Sequence, residues 1–261
     1  MKQQMLNNRV LGLFAHPDDA EFLCAGTMAL LQQAGWQAHI ATLSPGDKGT
    51  VEHSRDQISC IRRGEATQAA RVLEGYYHCL DCEDTYILYD RHTINKVTSL
   101  IRRVKPGIVF TCSPTDYMVD HEMTSRLTQT ACFACGIKNM EIDEPSFEPV
   151  PHLYYCDPLE GKDLLGRVVC PTTIVDISKM MTIKETMLCC HESQRNWLRI
   201  HHGVDEYVLA MKTFAAQRGA FIDCAAAEGF RQHLGHCFPQ NNILKDLLPD
   251  HVHGSKENSD A

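Results

Sequence analysis

The sequence predicts an α/β fold on a mostly parallel sheet, and three observations predict it. Apolar runs of strand length recur along the chain, segments with helical apolar spacing separate them, and glycine or Lys-Pro-Gly breakers close those helices. Val10–Ala15 (VLGLFA) is the first strand, followed by a turn and a helix over about 20–34 that Gly35 ends. Residues 37–44 (QAHIATLS) alternate as a strand, and the loop PGDKGT leads into a long helix over about 55–73, closed by Gly75. A strand at 76–80 and a helix at 92–104 come next, stopped by Lys105-Pro106-Gly107, and 107–112 (GIVFTC) reads as a buried strand. A helix starts near His121, and the acidic, proline-bearing stretch 139–151 reads as a loop. Strands at 152–156 and 173–177, a helix over about 180–190 and a helical tail complete the pattern. Nothing marks a linker or an internal repeat, so residues 1–249 read as one domain, with a polar tail at 250–261 expected to fray.

Composition narrows the function. With 261 residues, 44 % apolar and 22 % charged, the chain is long enough for a substantial core and too ordered in composition for a disordered protein. A net charge of −8 argues against nucleic acid, whose recognition rests on clustered Lys and Arg. No apolar run approaches the ~20 residues that span a bilayer, and the first residues lack the pattern of a signal peptide. The expectation is a soluble cytoplasmic protein with no membrane partner. The odd number of cysteines, 13, argues against a disulfide framework. Cys60, Cys112 and Cys189 fall where small buried hydrophobes belong. The pairs Cys79/Cys82 and Cys132/Cys135 read as core thiols rather than a zinc knuckle.

In such sheets ligands bind where loops leave the carboxyl ends of strands. After the first strand the chain carries no glycine-rich phosphate loop but Ala15-His16-Pro17-Asp18-Asp19-Ala20-Glu21, whose carboxylates would repel a phosphate. His16 and Asp19 are ligand types suited to a divalent ion such as zinc, with Asp18 between them. Alternatively, Asp18 or Asp19 caps the helix that follows. A second loop of the same kind, Ser113–Glu122, would deliver His121 as a third ligand. Asp120 is either a helix cap or a carboxylate that holds a ligating histidine in one tautomer.

These residues resemble the PIG-L/LmbE-like zinc deacetylase family. The resemblance rests on His16-Pro-Asp-Asp19, Asp120-His121 and His191-Glu-Ser193-Gln194, and extends through Gly46–Thr50, Arg62-x-x-Glu65, Val175–Ser178 and Glu228-Gly-Phe230. It implies a Rossmann-like three-layer sandwich and a Zn2+ site of His16, Asp19 and His121. With Asp18 as general base, a metal-activated water would remove the acetyl group of an N-acetylglucosamine-type substrate. It also implies Arg62, and with less support Asp84, as substrate-binding residues, and a trimer or hexamer as the assembly. Read without it, Arg62 and Glu65 form an i,i+3 ion pair on a helix surface. One position departs from the family: Met118 stands where a histidine is expected to stabilise the oxyanion or donate a proton, and a thioether cannot donate. His191, His233 and His236 are candidates for that role, and the stretch 230–236 is a candidate cover over the site. His201 and His202 read as an exposed feature. The competing readings are a non-catalytic zinc- or sugar-binding protein on the same fold and a metal amidase with a different acyl substrate.

Overall fold

The computed structural model describes residues 7–195 and 206–254. One eight-stranded sheet runs through it in the order β3-β2-β1-β4-β5-β7-β6-β8. Strands β1 (Arg9–Phe14), β2 (Gln37–Thr42), β3 (Tyr76–Cys79), β4 (Ile108–Thr111) and β5 (His152–Cys156) are mutually parallel. Strands β6 (Thr173–Asp176), β7 (Ala227–Gln232) and β8 (Val252–Gly254) extend it in antiparallel register. The architecture is therefore the α/β sandwich the alternation predicts, parallel in its first five strands.

Burial of both sheet faces explains the apolar strands: Val10, Leu11, Leu13 and Phe14 of β1 and Ile108, Val109 and Phe110 of β4 have no solvent exposure. Helices α1 (Asp19–Leu23), α2 (Ala25–Gln33), α3 (Arg55–Val72) and α6 (Met181–Cys189) pack as one group, and α4 (Arg91–Val104) packs against α5 (Val119–Ala134) as another. The helix starts are chemically marked. Ser54 and Gln57 form a capping box at α3, and the Asp90 side chain accepts the Thr93 amide at α4. Helices α7 (Glu206–Gly219) and α8 (Ile243–Leu247) follow α6.

Three expectations change. The single helix over 20–34 is two, broken at Cys24, because the Glu228 carboxylate of β7 accepts the Gly26 and Thr27 amides at 2.9 and 2.7 Å and so satisfies a second helix start. Residues 227–232 pair as a strand between β5 and β6, so the first part of the expected cover, Phe230–Gln232, lies in the sheet. Residues 252–254, in the stretch expected to fray, pair with β6, where Val252 is buried. Of the cysteines, Cys112 is buried as expected, whereas Cys60 is exposed because it falls on the outer face of α3. Among the described residues no cysteine joins a metal-ligand cluster. His201 and His202 lie outside the described residues.

Candidate metal centre and cavity

The parallel strands change direction of progression between β1 and β4, which lie side by side with their connections leading away to opposite sides. That switch point opens a crevice at their carboxyl ends. The loop after β1 carries His16, Asp18 and Asp19, and the loop after β4 leads to Asp116 and to His121 in the first turn of α5. Two segments 100 residues apart in sequence thus meet because their strands are hydrogen-bonded neighbours.

His16, Asp19 and His121 converge. Each offers one ligand atom, and these atoms lie within 4.8 Å of one another. His121 Nε2 is 3.5 Å from Asp19 Oδ1, and His16 Nδ1 is 3.8 Å from Asp19 Oδ2. A tetrahedral ion with bonds near 2.1 Å separates its donors by about 3.4 Å, so the donor set fits such an ion. The backbone contributes too: Asp19 Oδ2 accepts the His16 amide at 2.9 Å, which holds the carboxylate against the turn. The capping alternative is not what forms. Asp18 occupies the N-cap position of α1 but makes no side-chain cap bond, and Asp19 faces the histidines.

A second layer of carboxylates orients both rings. His16 Nε2 faces Asp84 Oδ1 at 3.2 Å and Asp120 Oδ2 at 3.3 Å, leaving Nδ1 toward Asp19. His121 Nδ1 faces Asp116 Oδ1 at 3.0 Å, leaving Nε2 toward Asp19. Carboxylates that accept the far N–H of each ring select the tautomers whose lone pairs point at the shared point. Asp120 is anchored by the amides of Thr85 and Ile87, and Asp84 by that of Lys48. Burial pulls the His16 pKa down, but Asp120, Asp84 and Asp19 more than offset it and push it up to about 10. Burial likewise opposes protonation of His121, and Asp19 and Asp116 raise it nevertheless. Both rings are held where negative charge exceeds positive charge, an environment that attracts a cation.

Asp18 is arranged differently. Its backbone sits at φ 94°, a left-handed conformation that costs a non-glycine residue about 1–3 kcal/mol. Its side chain makes no helix-cap bond and lines the cavity described below. Buried Arg62 donates to Asp18 Oδ2 at 3.3 Å, to the Pro17 carbonyl at 2.9 Å and to the Gly46 carbonyl at 3.2 Å. Gly46 is itself left-handed, and a Cβ there would collide with the guanidinium. Arg62 therefore does not pair with Glu65, which instead accepts the Ser193 amide and hydroxyl, each at 2.7 Å. Burial lifts the Asp18 carboxyl above the usual aspartate value, against the opposing pull of Arg62. Tyr207 of α7 also lies near enough to influence it.

These groups line one cavity of about 1050 Å³ that includes His16, Asp18, Asp19, Arg62, Asp84 and His121. Met118 lines it too, beside Tyr117, whose ring meets His121 edge-on at 5.5 Å. Burial, with Asp19 and Asp116 nearby, raises the Tyr117 phenol and keeps it protonated. None of the three candidate histidines lines the cavity. His191 is fully buried with Nε2 3.4 Å from Glu21 Oε1; His233 contacts the Tyr155 hydroxyl through Nδ1 at 2.9 Å; His236 is exposed. Asp116 and Tyr117 are the residues that sequence reading missed. Both lie in the quoted Ser113–Glu122 loop, but no spacing rule says which of its side chains turn inward.

Comparison with known proteins finds similarity over part of the chain. Residues 11–132 match the PIG-L model, described as GlcNAc-PI de-N-acetylase, as the motifs around His16 and His121 implied. A diacetylchitobiose deacetylase of Thermococcus kodakarensis is 28 % identical over 71 % of this chain and 70 % of its own length. A 4-oxalmesaconate hydratase of Pseudomonas putida is 26 % identical over 70 % of this chain and 72 % of its own. The fold is shared with the N,N'-diacetylchitobiose deacetylase of Pyrococcus horikoshii, at a TM-score of 0.75 and 24 % identity over 90 % of this chain and 88 % of that one. His16, Asp18, Asp19, Arg62, Asp84, Asp120 and His121 all fall within the matched span.

Proposed function

We propose, taking residues 11–132 as a PIG-L-type domain, that this chain is a zinc-dependent hydrolase that removes the N-acetyl group of an N-acetylglucosamine-type substrate. The observation that carries the reading is the convergence of His16, Asp19 and His121 at the wall of a cavity into which Asp18 also opens. His16, Asp19 and His121 would hold the ion, and Asp116, Asp84 and Asp120 would keep the two imidazoles facing it. Zn2+ bound there supplies Lewis acidity and eases the loss of a proton from water.

Asp18 accepts a proton as the oxygen of water adds to the acyl carbon. The carbon–nitrogen bond then breaks, the acyl group leaves as acetate, and the proton passes from Asp18 to the nitrogen, which departs as a free amine. Arg62 keeps the Asp18 carboxylate aimed at the cavity and supports its charge when ionised. Met118 contributes no proton; the neighbouring protonated phenol of Tyr117 is the donor side chain nearest that position in sequence that also lines the cavity.

The hydratase relative raises a second reading, water addition to a polycarboxylate. The charges on the wall oppose it. Six carboxylate side chains, Asp18, Asp19, Asp84, Asp116, Glu160 and Glu206, line the cavity against two cationic ones, Arg62 and Lys162. Anionic substrates gather cations around them, whereas a neutral amide needs no such excess. The test is a screen of the zinc-loaded protein against N-acetylglucosamine, its disaccharides and its glycosides, reading free amine. A parallel assay follows hydration of 4-oxalmesaconate. Amine release that disappears in Asp18→Asn is expected; hydration without amine release overturns the proposal.

A further inference from the structure

The loop that follows β4 is held by a side chain from the far end of the sequence. From Ser113 to Met118 only Ser113 and Asp116 are buried, while Thr115 and Tyr117 are exposed, so polar contacts define most of the turn. The Ser113 hydroxyl stands at their centre. It donates to the Thr115 carbonyl at 2.7 Å and accepts the Thr115 amide at 3.3 Å. It also accepts Nη2 of Arg231, on β7, at 2.8 Å. A hydroxyl has one proton and two lone pairs, so with both lone pairs engaged its proton is left for the Thr115 carbonyl, which closes the turn. Asp116 comes next. Its Oδ1 accepts His121 Nδ1 at 3.0 Å and the Met118 amide at 3.3 Å, and its own amide donates to Glu122 Oε1 at 3.1 Å. One short turn thus joins β7 to the imidazole that faces Asp19.

Arg231 is itself built into the fold. Gly229 lies two residues away on the same face of β7, and a Cβ there would collide with the Asp157 carboxylate. Arg218 of α7 pairs with that carboxylate through Nε at 2.7 Å. Burial weakens the Arg231 charge, and Asp157 supports it. Asp157, Arg218 and Arg231 lie beyond residues 11–132, so the matched domain does not account for them.

Taking His16, Asp19 and His121 as the metal ligands, we propose that Arg231 is a positioning residue of that centre. By bonding the Ser113 hydroxyl it fixes the turn that sets Asp116 against His121, so the antiparallel part of the sheet governs metal affinity without touching the ion. A carboxylate that orients a ligating imidazole contributes to metal binding. A residue that places the carboxylate acts through it, and its effect disappears where the carboxylate is gone.

The experiment measures zinc affinity by competition with a chelator, together with urea unfolding of the metal-free protein. Both are read for Arg231→Met in the parent and in an Asp116→Ala background. Arg231→Met is expected to weaken zinc about tenfold in the parent, the lower end of what the outer partners of a metal site contribute. In the Asp116→Ala background the loss should fall below about twofold, the scatter of independent sites. Stability lost with the Arg231 contacts should be equal in both backgrounds, which separates it from the effect on the metal. The same loss of zinc affinity in both backgrounds overturns the proposal, because Arg231 would then act by another route. Unchanged affinity in the folded Arg231→Met protein also overturns it, whatever happens to unfolding. If Arg231→Met does not fold, Ser113→Ala, which removes only the hydroxyl, decides. A loss of zinc affinity that depends on Asp116 supports the proposal, and any other result overturns it. A parent that holds no zinc overturns the metal centre and the proposal with it, whereas zinc held equally by parent and variant overturns the proposal alone.

Discussion

Two buried polar clusters in this protein differ in charge balance. In the first, Glu228 of β7 accepts from the Gly26 amide, the Thr27 amide and hydroxyl, and Lys184 of α6. Lys184 also donates to the Phe22 carbonyl, and both charged residues are almost wholly buried. Every charge there has a partner, and the cluster ties a broken helix to the sheet and to α6. In the second, around His16 and His121, Asp19, Asp84, Asp116 and Asp120 converge on two imidazoles. A closed network serves the fold; one left with surplus negative charge is suited to receive an ion. The difference teaches that balance, rather than burial or polarity, separates a structural cluster from a functional one.

That contrast can be broken experimentally. Asp18→Asn is expected to lower amine release by about 10²–10⁴-fold while zinc, measured by metal analysis after dialysis, stays bound; His121→Ala should lose the metal itself. Equal metal loss in both would make Asp18 a ligand. On the closed cluster, Lys184→Met leaves Glu228 buried without its cation and should cost about 3–5 kcal/mol in urea unfolding, with the zinc affinity of the folded protein unchanged. A loss of zinc affinity there would show that the two clusters are coupled.

Smaller effects sharpen the boundary. Asp116→Ala releases His121 Nδ1 and is expected to weaken zinc about 10–100-fold in competition with a chelator, with little change in unfolding. Met118→His supplies a proton donor and should raise the rate of amine release; an unchanged rate would mean that another group, such as Tyr117, already serves.

The sheet edge gives a control outside both clusters. His39 Nδ1 lies 3.0 Å from His78 Nε2, and burial, with His78 and Arg9 nearby, lowers the His39 pKa from 6.5 to about 4. The unfolded chain therefore binds more protons there between those values, so stability attributable to His39 is present above about pH 6.5 and is lost as pH falls toward 4. Urea midpoints at pH 7 and pH 5 should differ less in His39→Gln than in the parent; an equal drop would remove His39 from the account.

The amino-acid order by itself marked the first six strands, most of the helices and the residue types suited to a metal. Strand-length apolar runs such as 107–112 need two covered faces, and His16 and Asp19 sit three apart at a turn after such a run. It also held the marks of α3 and α4, because capping is a local contact between residues three apart. Only the tertiary structure decided which groups meet. The break at Cys24 depends on Glu228, about 200 residues away, and β7 and β8 acquire strand form from neighbours in the sheet. Arg62 reaches Asp18 rather than Glu65, and Asp116 rather than Asp120 holds His121, because sheet register and loop path set those distances. The contact of Phe22 with Tyr207 and Phe214 belongs to the same class, since it joins α1 to α7 across nearly 200 residues of sequence. Local chemistry is written along the chain, while charge balance and cavity shape arise where distant segments are brought into contact.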